Sequence, residues 1–410
     1  MNPLSSPLPR RAFLARTGLW SLAAALLPGR LLAGANSTPS APPLPTNGNR
    51  YAQLGVQPVI NAMGSVTFLG GSLMSPVTLA AMDEASHEFV VITELLERSG
   101  EYLAQRIGVP GALVTTGASG AITLGTAACI AGGELARTHQ LPDPTGLPHE
   151  VILQKAHRNE YETQLRLVGA KLVEVETAAE LEAAINPRTA MMFFMNKLDS
   201  RGKIHREEWV AIAQKHRIPT FLDAAADIPP QANLAGYVHQ GFDLVAFSGG
   251  KALRGPQCTG LLLGRKDLID AARHHASPYD HTVGRALKVG KEEIAGLVAA
   301  VEQFLEKDHA AEFQRFDARV REMTKTFADL PHVRTEVWVP EIANHFPHLA
   351  VSWDPAHFPH TAAAIKQHLM DGSPRIAVLA VGEHSIGLSV LMLQPDQDPV
   401  VATHLRAALT

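Results

Sequence analysis

A chain of 410 residues, 46% hydrophobic and 19% charged, is long enough for two domains and a sizeable core. Its formal net charge of -4 excludes the basic excess expected of a nucleic-acid or anionic-membrane partner. Its two cysteines, Cys129 and Cys258, exclude a disulfide framework and a zinc centre built on cysteine alone, and no metal site is expected.

Residues 1–35 read as a twin-arginine (Tat-type) export signal. Arg10-Arg11-Ala12-Phe13-Leu14 precedes an uncharged apolar segment that is broken by Pro28 and too short to span a bilayer. Ala33-Gly34-Ala35 supplies small residues for cleavage. Pro9 and Ala15 depart from the usual pattern, and an uncleaved anchor or a cytoplasmic amphipathic start are the alternatives. The expected route is the Tat export machinery and the expected compartment the periplasm. Residues 36–50, rich in Pro, Ser, Thr and Asn, form a linker, and residues 51–74 an N-terminal segment. Within that segment Val56 to Gly64 reads as a strand and turn, followed by a Gly-rich stretch suited to close backbone approach.

Residues 75–290 alternate strands and helices in the manner of a large doubly wound, mostly parallel α/β domain. Ser75-Pro76 starts a helix predicted to run through Phe89 towards Ser99. Apolar strands are predicted at Ala112–Thr115, Val151–Leu153, Gly169–Val175, Thr189–Met195, Thr220–Asp223, Phe242–Phe247 and Thr259–Gly264. Residues 291–410 differ in character. A long helical stretch to Leu330, then strands, a helix, more strands and a last helix point to a smaller α+β domain.

Polar groups recur at predicted strand ends. Gly117-Ala118-Ser119 opens a helix after one strand, where free N–H groups and the helix dipole suit an anion; an ordinary helix start has the same appearance. His157, Asn196 and Asp223 end three more strands. Ser248-Gly249-Gly250-Lys251 follows a buried one and is an unusual place for a solvated lysine. A partly desolvated amine there suits Schiff-base chemistry. Together the set matches the needs of pyridoxal 5'-phosphate. Lys251 would form the internal aldimine and Asp223 would pair with the pyridine nitrogen. Gly117 to Ser119 and Ser248 would hold the phosphate, His157 would stack on the ring, and Asn196 would bond the ring hydroxyl. Singly, Asp223 reads equally as a helix cap, Asn196 as a turn residue, and His157 as one surface histidine among 19.

From about Val59 onward the chain resembles the fold-type I pyridoxal phosphate enzymes, in particular the selenocysteine synthase-related branch that includes D-glucosaminate-6-phosphate ammonia-lyase. The resemblance rests on Ile60-Asn61-Ala62-Met63-Gly64, Thr116-Gly117-Ala118-Ser119-Gly120-Ala121, Leu222-Asp223-Ala224-Ala225-Ala226, Phe247-Ser248-Gly249-Gly250-Lys251 with Gly255-Pro256-Gln257, and Gly284 to Glu293. It implies the transferase-type α/β fold, Lys251 as the aldimine lysine, Asp223 as the pyridine partner, Ser119 and Ser248 as phosphate ligands, and a homodimer or higher homo-oligomer. Asp227 stands where the family pattern carries Gln or Glu.

The expected activity is a carbon–nitrogen lyase or related α,β-eliminase acting on a small amino acid or amino-sugar acid. Lys251 and Asp223 would be catalytic, Arg375 would hold the substrate carboxylate, and Arg285 and Lys288 would hold an anion, from a neighbouring subunit. Transaminase, racemase and aldolase chemistry use the same parts, and a non-catalytic periplasmic binding protein would keep the same fold.

Overall fold

The computed structural model describes residues 50–410. The expected export signal and nearly all of the expected linker lie outside the described residues. A four-residue helix, α1 (Arg50–Gln53), belongs to the unit formed by residues 1–56, and everything below concerns residues 57–410. Among the described residues no helix is long and apolar enough to cross a membrane.

The N-terminal segment contributes β1 (Val59–Asn61). Ser75 then caps α2 (Pro76–Ser86), its hydroxyl accepting from Thr78 N at 3.2 Å with Pro at the first helical position. The predicted single helix to Ser99 is in fact two. The chain opens at residues 87–91 and restarts as α3 (Ile92–Ile107). The β-branched run Val90-Val91 disfavours helix, and Phe89 stands fully exposed.

The large domain then builds β2 (Gly111–Thr115), α4 (Gly117–Ala131), α5 (Leu135–Thr138), β3 (Glu150–Gln154), α6 (Thr163–Arg166), β4 (Lys171–Val175), α7 (Ala178–Ala184) and β5 (Thr189–Met195). It continues with α8 (Arg206–His216), β6 (Thr220–Asp223), α9 (Asn233–His239), β7 (Leu244–Ser248), β8 (Gly260–Gly264) and α10 (Lys266–His275). Seven strands form one sheet in the order β2-β8-β7-β6-β5-β3-β4, in which β8 alone runs antiparallel to its neighbours. Helices cover the sheet, so the central strands read as unbroken apolar runs: every residue of β5 is buried. Phe193, Phe194, Trp209, Phe221, Phe242 and Phe247 fill this core.

The next helix, α11 (Lys291–Glu306), puts Ile294, Leu297, Val301 and Phe304 into the same core. The large domain therefore extends past residue 290, where a boundary was expected, to Glu306. The small domain comprises α12 (His309–Thr324), β9 (Val333–Trp338), β10 (His348–Trp353), α13 (Ala362–Asp371), β11 (Arg375–Ala377), β12 (Leu379–Gly382), β13 (Ser385–Ser389) and α14 (Gln397–Ala407). Its four-stranded antiparallel sheet, β12-β13-β10-β9, packs on a separate core that includes Phe316, Phe346, Val351, Ile365, Leu388 and Val401. The predicted strand from Arg375 to Val381 divides at Val378. β11 leaves the sheet to pair in parallel with β1, register Val59 to Arg375, while β12 stays with β13. Ala62, just past β1, is buried in the small-domain core.

Candidate active site

The sheet register fixes which polar residues meet. Met195 pairs with Asp223, Asp223 with Ala246, Ser248 with Gly260, and Gly260 with Thr115. The residues that leave β2, β7, β6, β5 and β3 therefore line one edge of the sheet in the order Gly117, Ser248 and Lys251, Asp223, Asn196, His157. Ligand sites of open α/β sheets form along this carboxyl edge.

Asp223 is 6% exposed and its Oδ1 accepts the Ala225 N–H at 3.0 Å. Burial pushes its carboxyl up, opposed by that hydrogen bond and by the positive charges of Lys251 and Lys197. Burial pulls the Lys251 ammonium down, opposed by Asp223 and Asp227. Each thus sits in the other's field with water largely removed, as expected of an amine that must be a nucleophile and a base. Among the described residues the Lys251 side chain makes no hydrogen bond, so its amine is uncommitted.

The lysine turn is held from both sides. Arg254, with φ 59°, donates through Nε to Leu73 O at 3.0 Å, and Gln257 Nε2 donates to Thr67 O at 3.2 Å. The Gly-rich N-terminal stretch thus lies on the Lys251 turn. Gly71 has φ 76°, and a Cβ there would stand 2.5 Å from Gly250 O and 2.7 Å from Gln257 Cγ, so only glycine fits.

Across β8 from the lysine turn, Gly117, with φ 69°, turns the chain into α4. The first N–H groups of a helix lack intrahelical partners. Ser119 is exposed beside them. Thr116, at the N-cap, makes no capping bond, and its Oγ1 is buried without a partner. An anion at this helix start would find N–H donors and two hydroxyls, with Ser248, half-buried at the end of β7, close along the edge. These donors fit a phosphate.

Asn196 is fully buried, and its Nδ2 donates to Asp227 Oδ2 at 2.6 Å and to the Tyr237 hydroxyl at 3.0 Å. Its Oδ1 has no partner. The amide expected to bond a ring hydroxyl is therefore itself held by a second buried carboxylate. Burial pushes Asp227 up to about 6, with the Asn196 bond pulling the other way and the Asp223 charge adding to the rise. Tyr237 is in turn stacked on Phe247 and has the Arg206 guanidinium 5.5 Å over its ring.

His157 departs from expectation. It is 0% exposed, and its ring meets Phe194 edge-on at 4.5 Å, so it is packed within the protein rather than open to the edge of the sheet. Burial pulls its imidazole down to about 4. Tyr161 is the better candidate. It lies four residues on, is 54% exposed, and its phenol is pushed up by burial, by Glu160 and by the field of Asp223. The run Asn159-Glu160-Tyr161 signals it, since Asn159 caps the short helical turn that carries it. Lys197, exposed and next to Asn196, acts on both Asp223 and Lys251 and was not singled out from sequence.

The predicted substrate ligands fall elsewhere. Arg375 begins β11, and its Nε donates to Met370 O at 3.1 Å. Through β11 it adjoins β1 and so the segment that reaches the lysine turn. Arg285 pairs with Asp280 at 3.2 Å, and Lys288 is exposed. Among the described residues no contact joins either to Lys251 or Asp223. Cys258, beside the turn, is exposed.

Comparison with known proteins defines the class. The family model described as SelA: L-seryl-tRNA selenium transferase matches residues 163–318. The chain is 35% identical over 269 residues, 62% of its length and 70% of the relative's, to the D-glucosaminate-6-phosphate ammonia lyase of Salmonella typhimurium. It is 31% identical to the 5'-C-glycyluridine monooxygenase-decarboxylase of a Streptomyces species, over 88% of this chain and 92% of that one. A solved structure of D-glucosaminate-6-phosphate ammonia-lyase superposes with a TM-score of 0.76 at 27% identity, covering 88% of this chain and 98% of that one. The serine palmitoyltransferase of Sphingomonas wittichii shares the fold alone, with a TM-score of 0.55 at 16% identity over 85% and 87% of the two chains. The fold and site are those of a fold-type I pyridoxal phosphate enzyme. Within that class the chain belongs to the selenocysteine synthase-related branch.

Proposed function

We propose that this protein is a pyridoxal phosphate-dependent carbon–nitrogen lyase that eliminates a β-substituent from a small amino acid or amino-sugar acid and releases ammonia. The observation that carries the assignment of roles is the Lys251–Asp223 pair: an amine and a carboxyl, both desolvated and in each other's field, at adjoining strand ends beside a free helix start. The choice of reaction is supported by the similarity to the ammonia-lyase in sequence and in structure.

Lys251 would hold the cofactor covalently, Asp223 would hold the proton on its ring nitrogen, and Gly117 to Ser119 with Ser248 would hold its phosphate. The bound cofactor supplies an electron sink for charge that develops at the substrate α-carbon. Once the substrate amine replaced it on the cofactor, Lys251 Nζ, made less basic by burial, would be free to take the α-proton, and the group on the β-carbon would leave with its electron pair. The released enamine tautomerises and hydrolyses in water to a keto acid and ammonia. Arg375 is the proposed carboxylate ligand. Arg285 and Lys288 would reach a neighbouring subunit's anion in a homodimer or larger homo-oligomer. The Arg10-Arg11 signal supports export to the periplasm, where a sugar phosphate is a less expected substrate than the free acid.

A second reaction class is favoured by one finding: a relative that aligns over 88% of the chain is named a monooxygenase-decarboxylase. Product analysis separates the two. Incubation of the holoenzyme with D- and L-β-hydroxy amino acids and amino-sugar acids should release ammonia and a keto acid in equal amounts. Loss of carbon dioxide, or racemisation without ammonia, would overturn the lyase reading.

A further inference from the structure

The small domain carries a cluster that the proposed reaction does not use. His332 immediately precedes β9 and Asp354 immediately follows β10. Val333 pairs with Trp353 across the antiparallel ladder, so His332 and Asp354 are the next residues facing each other, and Asp354 N donates to His332 O at 3.0 Å. Asp354 Oδ1 accepts Ala356 N at 2.9 Å, and His357 N donates to Asp354 O at 3.0 Å. That tight turn brings His357 back over the strand end. Its ring lies parallel to that of His332, centroids 3.4 Å apart and planes 9° from parallel, and its Nδ1 is 3.4 Å from Asp354 Oδ2. One ligand atom from each of the three residues lies within 4.8 Å of the others, and all three residues are exposed.

We infer that His332, Asp354 and His357 form a binding site for a divalent transition-metal ion. Two imidazoles and one carboxylate are the ligand set of zinc, nickel, copper and non-haem iron rather than of magnesium or calcium, which take oxygen ligands. Ligand atoms about 2.1 Å from a tetrahedral zinc ion lie roughly 3.4 Å apart, so the spacing is within reach, and the two stacked rings must turn about their side-chain bonds to aim their in-plane lone pairs at one ion, a movement open to exposed side chains. The backbone does not have to move, because the ladder and the turn already fix all three Cα positions. Asp354 spends one oxygen on the turn and keeps the other for the ion. Three protein ligands leave positions for water, which makes this an exchangeable surface site that ties the turn after β10 to the start of β9. It shares no residue with the candidate active site.

The test is isothermal titration calorimetry of zinc chloride into chelator-treated holoenzyme near neutral pH. One saturable site is expected, weakened at least about ten-fold by His332→Asn and by His357→Ala, as loss of one of three ligands should do. Asn tolerates the left-handed backbone of His332 (φ 64°), so the fold is kept. His87→Ala, at an exposed histidine on the end of α2, should leave binding unchanged. Absence of saturable binding in the parent protein, or equal binding by the His332 and His357 variants, would overturn the assignment.

Discussion

Asn196 donates to Asp227 across 2.6 Å of fully buried space, while its own carbonyl oxygen bonds to nothing. A carboxylate thus sits behind the amide that the sequence places at the cofactor ring. Because burial raises Asp227 to about 6, the folded state binds its proton more tightly than the unfolded chain does. Its contribution is then fully present below the unfolded carboxylate range and is lost as pH rises through about 6. Asp227→Asn keeps an acceptor for Asn196 without the buried charge. The variant should melt above the parent at pH 7.5, by an amount worth about 1–3 kcal/mol, and show a smaller difference at pH 5. Thermal melts at the two pH values check this.

Gly71→Ala tests the contact between the N-terminal segment and the lysine turn. The added Cβ meets Gly250 O and Gln257 Cγ, and the backbone there is left-handed. A loss of about 2–4 kcal/mol in stability is expected, with a fall in turnover as the turn shifts. Chemical denaturation and a turnover assay on the same sample would show both.

Gly117→Ala and Ser119→Ala address the helix start. Alanine at φ 69° costs about 1–2 kcal/mol and displaces the first N–H groups. Both variants should raise the dissociation constant for pyridoxal phosphate, measured by titration into cofactor-free protein, and lose less in kcat once saturated.

Tyr161 and His157 should separate cleanly. His157→Ala empties a buried site beside Phe194 and should cost about 2–4 kcal/mol of stability while leaving the visible spectrum of the holoenzyme in place. Tyr161→Ala removes a half-exposed ring, should change stability by less than about 1 kcal/mol, and should shift the spectrum or weaken cofactor binding. The reverse pattern would restore His157 as the stacking residue.

Much of this architecture was legible in the residues. Unbroken apolar runs such as Thr189 to Met195 mark central parallel strands because helices dry both faces of the sheet. Polar residues at their ends then fall along one edge by register alone. The end of α2 was not legible, because the pattern of apolar residues continues through Phe89 while the chain opens there. Nor was the place of α11, because apolar spacing marks a buried face without saying which core receives it. The burial of His157 and the exposure of Tyr161 depend on how tightly one short turn packs on Phe194, which spacing does not encode. The three residues of the proposed metal cluster are brought together by the β9–β10 register and the turn after β10, and the 21 positions between His332 and Asp354 hide it in the sequence.

Lys251 as the residue that holds the cofactor can be tested by trapping the bond itself. The purified protein, supplied with pyridoxal phosphate, is scanned for a visible absorption band, reduced with borohydride, digested, and the labelled peptide mapped. A band that reduction removes, with the label on Lys251 and no label in Lys251→Ala, is the predicted result. A protein that stays colourless, or one that carries the label on another lysine, would contradict it.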